Sequence, residues 1–335
     1  MKSSLQLAVL CGVAIAAVVV GCATPESAKP IVGRNSALPA MVYPADNPTS
    51  PAKVALGKQL FADTRLSGAG KSACQSCHYR DLGWTDAKQL SAKEDGSVNT
   101  RHTPTLYNVG HQSTWYWDGR AATLEAQTLA AWRGQTLADP VKVAALINTV
   151  PGYVSQFQSV YGEPATPDNI VKSLTTFFRS LNSENAPWDR YEMGDVKAVS
   201  SEAVEGYKVF AGKGQCIVCH SPPMYGNSTF FNVGLEHGKA KPDVGRFNVS
   251  KNPADMSAFK TPTLRSIELS GPYFHDGSVA KLEDAVRYMA GGGKPDPNKS
   301  PILRDTQLTD KEVSQVVAFL KSLTSTETWE QPKLP

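Results

Sequence analysis

Two copies of Cys-x-x-Cys-His punctuate this chain: Cys74-Gln75-Ser76-Cys77-His78 and Cys216-Ile217-Val218-Cys219-His220. This pattern is the attachment site of a c-type haem. The two cysteines add across the haem vinyl groups as thioethers, and the adjacent histidine becomes the proximal iron ligand. Whatever fold the chain adopts must therefore wrap two large, flat cofactors. Cys74, Cys77, Cys216 and Cys219 bond the porphyrins, and His78 and His220 ligate the irons. A redox dithiol or half a zinc site uses a bare Cys-x-x-Cys. Neither accounts for a histidine directly after the second cysteine, twice, and no βαβ pattern accompanies the motifs.

The 335 residues are enough for two domains, and a formal net charge of +3 gives no basis for nucleic-acid binding. The N-terminus reads as an export signal, with Lys2 followed by an almost wholly apolar run from Leu5 to Val20. Val19-Val20-Gly21-Cys22 resembles a bacterial lipoprotein box, cleaved before Cys22 and lipidated on its sulfur. A single membrane-spanning helix is the alternative, for which the run is short. The expected order is a signal peptide over 1–21 and a Pro/Ser/Ala-rich tether over 22–50. A periplasmic, membrane-anchored location follows, and covalent haem attachment in bacteria takes place on that side of the membrane. With Cys11 removed and Cys22 lipidated, every remaining cysteine lies in a haem motif, which leaves no disulfide.

The chain also repeats itself. Gly57-Lys-Gln-Leu-Phe61 precedes the first haem motif and Gly206-Tyr-Lys-Val-Phe210 the second. His102-Thr-Pro-Thr-Leu106, Trp117-Asp-Gly-Arg120 and Leu124-Glu125 then match Lys260-Thr-Pro-Thr-Leu264, His275-Asp-Gly-Ser278 and Leu282-Glu283. Trp117 lies thirteen positions after Pro104, and His275 thirteen after Pro262. The reading is a mainly α protein of two cytochrome-c-like haem domains, over 51–197 and 198–335, with long irregular loops.

The repeat exposes an asymmetry at the sixth iron ligand. Leu282, Ala285, Val286 and Met289 recur at helical spacing, which predicts a helix over 281–289 with Met289 on its apolar face. A thioether opposite histidine favours ferrous iron and raises the potential. The alternative is a core methionine, and Tyr288 and Met256 are rival ligands. The equivalent position of the first half is Ala131, which cannot ligate iron. One haem is expected to be saturated and the other open to a small molecule.

These residues resemble the bacterial di-haem cytochrome c peroxidase family, which includes the methylamine-dehydrogenase maturation enzyme. The resemblance is carried by Leu60-Phe-Ala-Asp-Thr-Arg-Leu-Ser67, Arg101-His-Thr-Pro-Thr-Leu106, Trp117-Asp-Gly-Arg-Ala-Ala-Thr-Leu-Glu-Ala-Gln127, Phe259-Lys-Thr-Pro-Thr-Leu-Arg265 and Pro272-Tyr-Phe-His-Asp-Gly277. It implies a peroxidatic N-terminal haem and a C-terminal haem that accepts electrons from a donor. Met289 falls at the C-terminal axial-ligand position, where the peroxidases carry methionine and the maturation enzyme tyrosine. Trp117 matches a tryptophan between the haems and is a candidate bridge. His275 is expected to hydrogen-bond, and Arg246 and Arg265 to neutralise haem propionates or lie on the surface.

Three departures limit what the resemblance implies. The stretch Lys88 to Thr100 lacks the histidine with which many family members close the peroxidatic haem, although His102 and His111 are near. Of the two distal residues, Gln127 matches the glutamine, but Gln135 stands where a glutamate is expected. A carboxylate can pass a peroxide proton to the leaving oxygen, whereas a carboxamide only hydrogen-bonds. Asp139 is the nearest substitute, with a helix N-cap before Pro140 as its other reading, and Glu125 reads as structural. Family members also bind calcium through an asparagine and two carbonyls. Ser270 and Pro272 match the carbonyls, but His102 replaces the asparagine, and imidazole is a poor ligand for Ca²⁺.

The implied function is reduction of hydrogen peroxide with electrons from a small cytochrome c or cupredoxin. A homodimer is one assembly the family adopts. The rival functions are oxidation of Tyr or Trp of a partner protein, and electron transfer or peroxide sensing without turnover.

Overall fold

The computed structural model describes residues 37–335. The signal peptide and Cys22 lie outside them. Among the described residues, no helix is long and apolar enough to cross a membrane. The first half contains α1 (Pro51–Ala62), α2 (Leu124–Gln135), α3 (Pro140–Ile147), α4 (Pro151–Tyr161) and α5 (Pro167–Arg179). The second contains α6 (Pro187–Glu192), α7 (Ser201–Ala211), α8 (Phe247–Ser250), α9 (Leu282–Ala290) and α10 (Asp310–Ser322). Strands β1 (Phe230–Phe231) and β2 (Phe259–Lys260) pair antiparallel, with Phe230 opposite Lys260.

Local chemistry sets these boundaries. Helices α1 and α3 to α6 open on proline, whose fixed φ suits the first turn and whose missing N–H has no partner there in any case. Ser50, Thr123, Thr166, Ser200 and Thr309 each accept a backbone N–H as N-caps.

Two apolar cores form, one per half, each organised by a helix crossing. Helix α1 crosses α5 at Gly57, and α7 crosses α10 at Gly206. A Cβ on Gly57 would lie 2.1 Å from the Ser173 carbonyl oxygen, and one on Gly206 1.8 Å from that of Gln315. Only glycine permits either approach. One turn on, Phe61 packs against Trp84, Phe177 and Phe178, and Phe210 against Tyr225 and Phe319. Burying each phenylalanine contributes roughly 2–3 kcal/mol. The repeated Gly-x-x-x-Phe is thus a packing device: glycine sets the distance between helices and phenylalanine fills the wedge below.

The halves join through a pseudo-symmetric pair of backbone hydrogen bonds. The His102 N–H donates to the His275 carbonyl at 2.7 Å, and the Lys260 N–H donates to the Trp117 carbonyl at 2.8 Å. His102 and Lys260 are equivalent in the repeat, as are Trp117 and His275. Arg101 reinforces the joint, bridging Asp118 at 2.7 Å and Asp243 at 2.6 Å.

Three boundaries differ from expectation. Helix α6, expected in the first domain, packs Trp188 and Tyr191 into the second core. The tether expected up to residue 50 is already docked at Asn47, which is 0% exposed and donates its amide to Glu125 and Thr175. The end of the chain, expected within the second domain, returns to the first. Trp329 packs on its core, and the carbonyls of Lys333 and Pro335 accept from Gln59 and Arg65.

Candidate functional site

Both haem motifs open into one cavity of about 1180 Å³ between the halves, larger than the ~300–1,000 Å³ of ordinary small-molecule pockets. Each motif begins on a single 3₁₀ turn, Cys74–Ser76 and Cys216–Val218, which leads directly into its histidine. The His78 Nδ1–H donates to the Trp84 carbonyl at 2.7 Å, and the His220 Nδ1–H to the Tyr225 carbonyl at 2.9 Å. A carbonyl can only accept, so both tautomers are set and Nε2 is left for iron. Burial lowers the pKa of both imidazoles, which favours the neutral, ligating form. Burial also pushes the Cys74 and Cys216 thiols up to about 12, the opposite of an activated dithiol. The two cradles therefore fit covalent haem: paired cysteines and a tautomer-locked histidine, all lining the cavity.

The opposite walls differ. Met289, on α9, lines the cavity, while the Tyr288 hydroxyl donates to the Val233 carbonyl at 2.9 Å. Met256 is not part of the lining. On α2 the equivalent lining residue is Ala131, flanked one turn before and after by Gln127 and Gln135, both of which also line the cavity. The Gln135 Oε1 is buried and has no protein partner.

Asp139 stays outside. Its carboxylate accepts the Val141 and Lys142 N–H groups as the N-cap of α3. Glu125 is also turned away: it pairs with Arg179 at 2.6 Å and accepts from Asn47 and Thr175. Burial works to raise its pKa, but the Arg179 hydrogen bonds and charge outweigh it and bring it to about 2.

Two carboxylates of this half line the cavity: Asp118, tied to Arg101 and Arg120, and Glu94, in the loop that lacks a histidine. Its N–H donates to the Gln135 carbonyl at 3.1 Å, which pins the loop to the end of α2. Its carboxylate accepts the Ala69 and Lys71 N–H groups, both at 3.1 Å. Burial would raise its pKa, but hydrogen bonding to the carboxylate wins and lowers it. Nothing in the spacing marked Glu94, because the loop reaches α2 only in three dimensions.

Between the motifs, Trp117 lines the cavity, donates Nε1–H to the His102 carbonyl at 2.8 Å and meets His275 edge-on. His275 hydrogen-bonds, through Nε2, to Glu236 at 2.8 Å and stacks on Phe259. Lys260 is a lining cation that sequence reasoning missed, although it is the repeat mate of His102. Its Nζ donates to the Thr114 carbonyl at 2.8 Å and to the Gln112 side chain. Burial lowers its pKa to about 7, and Asp118 offsets this in part. Arg246 and Arg265 do not line the cavity. Arg246 caps the carbonyls of Asp118 and Gly119, and Arg265 is buried against Asp189 at 2.9 Å.

Calcium does not fit the remaining position. Ser270 and Pro272 line the cavity with His102, but the His102 Nδ1–H is used by the Lys88 carbonyl. The Nε2 it leaves, on a side chain 4% exposed, is a buried nitrogen without a protein partner. A hard cation takes oxygen ligands.

Fold and cavity together define a two-haem c-type redox protein built from two cytochrome-c-like halves. Residues 51–197 match the family model for di-haem cytochrome c peroxidase, and residues 203–324 match that for cytochrome c. The chain is 34% identical to cytochrome-c peroxidase IdrP1 of Denitromonas iodatirespirans, over 89% of each protein. It is 36% identical to methylamine utilization protein MauG of Methylorubrum extorquens, over 84% of this chain and 80% of that one. A crystal structure of a MauG-like protein associated with microbial copper homeostasis superposes with a TM-score of 0.80 at 28% identity, covering 86% of this chain and 95% of the other. The chain belongs to the di-haem cytochrome c peroxidase family. It is an oxidoreductase with two covalently bound c-type haems.

Proposed function

We propose that the protein is a peroxidase that reduces hydrogen peroxide to water outside the cytoplasm, tethered to a membrane by lipid on Cys22. The observation that carries this reading is the contrast between Ala131 and Met289 at equivalent positions of the cavity wall. A methionine can saturate the second site, while an alanine leaves room for a small oxidant at the first. When bound, the haems supply one-electron redox steps and an iron site for peroxide. Gln127 and Gln135 orient the peroxide by hydrogen bonding. Glu94 lines that end and accepts the peroxide proton, directly or through water, but the hydrogen bonds that lower its pKa make it a weak base and the transfer slow. Asp139, held as a helix cap, takes no part. Trp117, wedged between the motifs, bridges them. Electrons come from a small cytochrome c or cupredoxin that docks transiently at the second domain.

A second reading, oxidation of Tyr or Trp of a partner protein, is favoured by Gln135, an amide that cannot relay a proton. Stopped-flow mixing of the half-reduced protein with peroxide and reduced cytochrome c separates the two. Rapid oxidation of two cytochromes per peroxide is expected. A long-lived oxidised state that leaves cytochrome untouched would favour the second reading.

A further inference from the structure

One aromatic cluster plays no part in this scheme, and it lies behind the first haem site. We propose that Trp84 and Trp329 form a second electron route, from phenolic donors at the surface to the His78 side of the cavity, bypassing the second haem site. The proposal rests on the peroxidase reading only for its oxidant, peroxide.

The route is contiguous. The Trp84 carbonyl accepts the His78 Nδ1–H at 2.7 Å, so Trp84 is hydrogen-bonded to the proximal ligand itself. Its ring is 3% exposed and meets the Trp329 ring edge-to-face, with centroids 5.0 Å apart. Trp329 is only half-buried, which brings the path to solvent. The segment beyond α10 delivers this indole from the other half of the molecule. Two hydrogen bonds between Gln331 and Gln75, at 2.8 and 3.1 Å, fasten that segment to the residue after Cys74.

The second half has no counterpart. There the carbonyl that holds the proximal histidine belongs to Tyr225, which is fully buried against Phe210 and Phe319. Among the described residues, the path from a proximal ligand through two touching indoles to the surface exists in the first half, where the alanine wall admits an oxidant. Packing alone does not require indole at both positions, since Phe61 and Phe177 already fill the surrounding core. Indole and phenol are the aromatic side chains that most readily give up an electron.

The electrons balance as follows. Peroxide takes up two electrons and two protons, its O–O bond breaks, and two waters form. Each electron passes from Trp84 toward the His78 site, Trp329 refills Trp84, and a phenol refills Trp329. Each phenol loses its hydroxyl proton to water, so two phenols are consumed per peroxide, and the phenoxyl radicals couple. Lys58 sets the difficulty of the surface step. Its ammonium lies 4.4 Å from the centre of the Trp329 ring, and a cation there makes electron loss from the indole harder.

The test uses the holoprotein with both haems. Peroxide is added without donor, and tryptophan radicals are read by freeze-quench EPR and oxidised tryptophans by peptide mapping. N-acetyltyrosinamide and reduced cytochrome c then serve separately as donors. Wild type is expected to give an indole radical, oxidised Trp329 and phenol oxidation. Trp329→Phe should bring phenol oxidation to background and leave the indole radical on Trp84, which can no longer be refilled, while cytochrome oxidation is unchanged, which also shows that the variant folds. Lys58→Met should enlarge the radical signal and speed phenol oxidation. A Trp329→Phe protein that still oxidises phenol at the wild-type rate overturns the route. So does a wild type that oxidises cytochrome but neither phenol nor Trp329. A wild type that oxidises neither donor overturns the peroxidase reading, and the route with it.

Discussion

The two haem domains are built alike and finished differently. In each, a glycine lets two helices cross at backbone distance, and a phenylalanine one turn on fills the wedge. In each, a carbonyl a few residues past the motif holds the motif's histidine. The helix after the Asp-Gly turn then diverges. Helix α9 presents Met289, whereas α2 presents Ala131 between two glutamines. What is shared is carried by backbone contacts, and what differs by a few side chains on one helix face. A duplicated scaffold can thus keep its haem cradle and change its chemistry without altering a helix crossing.

That comparison can be broken most directly by making the two walls the same. Ala131→Met should place a thioether opposite His78 and close the first site, cutting peroxide turnover by at least about 100-fold. A six-coordinate absorption spectrum together with stopped-flow rates checks this; full activity with unchanged spectra would mean that position 131 does not face the iron. The converse change, Met289→Ala, should lower the potential of the second haem by on the order of 0.1–0.3 V. Spectroelectrochemical titration reads it, and an unmoved potential would remove Met289 as a ligand.

A smaller effect separates the two glutamates of the repeat. Glu125 is ion-paired with buried Arg179, while Glu283 is exposed. Glu125→Gln should cost about 3 kcal/mol of stability at neutral pH, and Glu283→Gln less than about 0.5 kcal/mol. Glu125 is depressed from 4.5 to about 2 in the folded protein, so its contribution is fully present above pH 4.5 and is lost as pH falls toward 2. Denaturant titrations of wild type and variant should therefore converge across that window. A gap that persists at its acid end would mean that Gln fails for reasons of packing rather than charge. The smallest effect expected is that of a chelator. With imidazole at position 102, EDTA should leave spectra and turnover unchanged, and a loss restored by Ca²⁺ would show that His102 does not exclude the ion.

Much of the site was legible because its signals are local. Asp139 before Pro140 reads as a cap, and the structure uses it as one. Gln127, Ala131 and Gln135 share a helix face by their spacing alone. Glu94, Lys260 and Trp329 were not legible, since each matters through a residue far away in the chain. Arg265 shows the same limit: its guanidinium pairs with Asp189 inside the second half, a choice of partner that no spacing records.

The sequence by itself determined two covalent haems, the Cys-x-x-Cys-His motifs that would hold them, the duplication and the difference between Met289 and Ala131. Thioether chemistry and helical periodicity act over a few residues, and a repeat can be counted. Only the tertiary structure decided that both motifs share one cavity, that a lysine with a pKa near 7 sits in its wall, and that the end of the chain carries Trp329 back onto Trp84. Burial, the pKa it shifts and the partner a side chain finds all depend on atoms brought together from distant parts of the chain, after the helices have crossed.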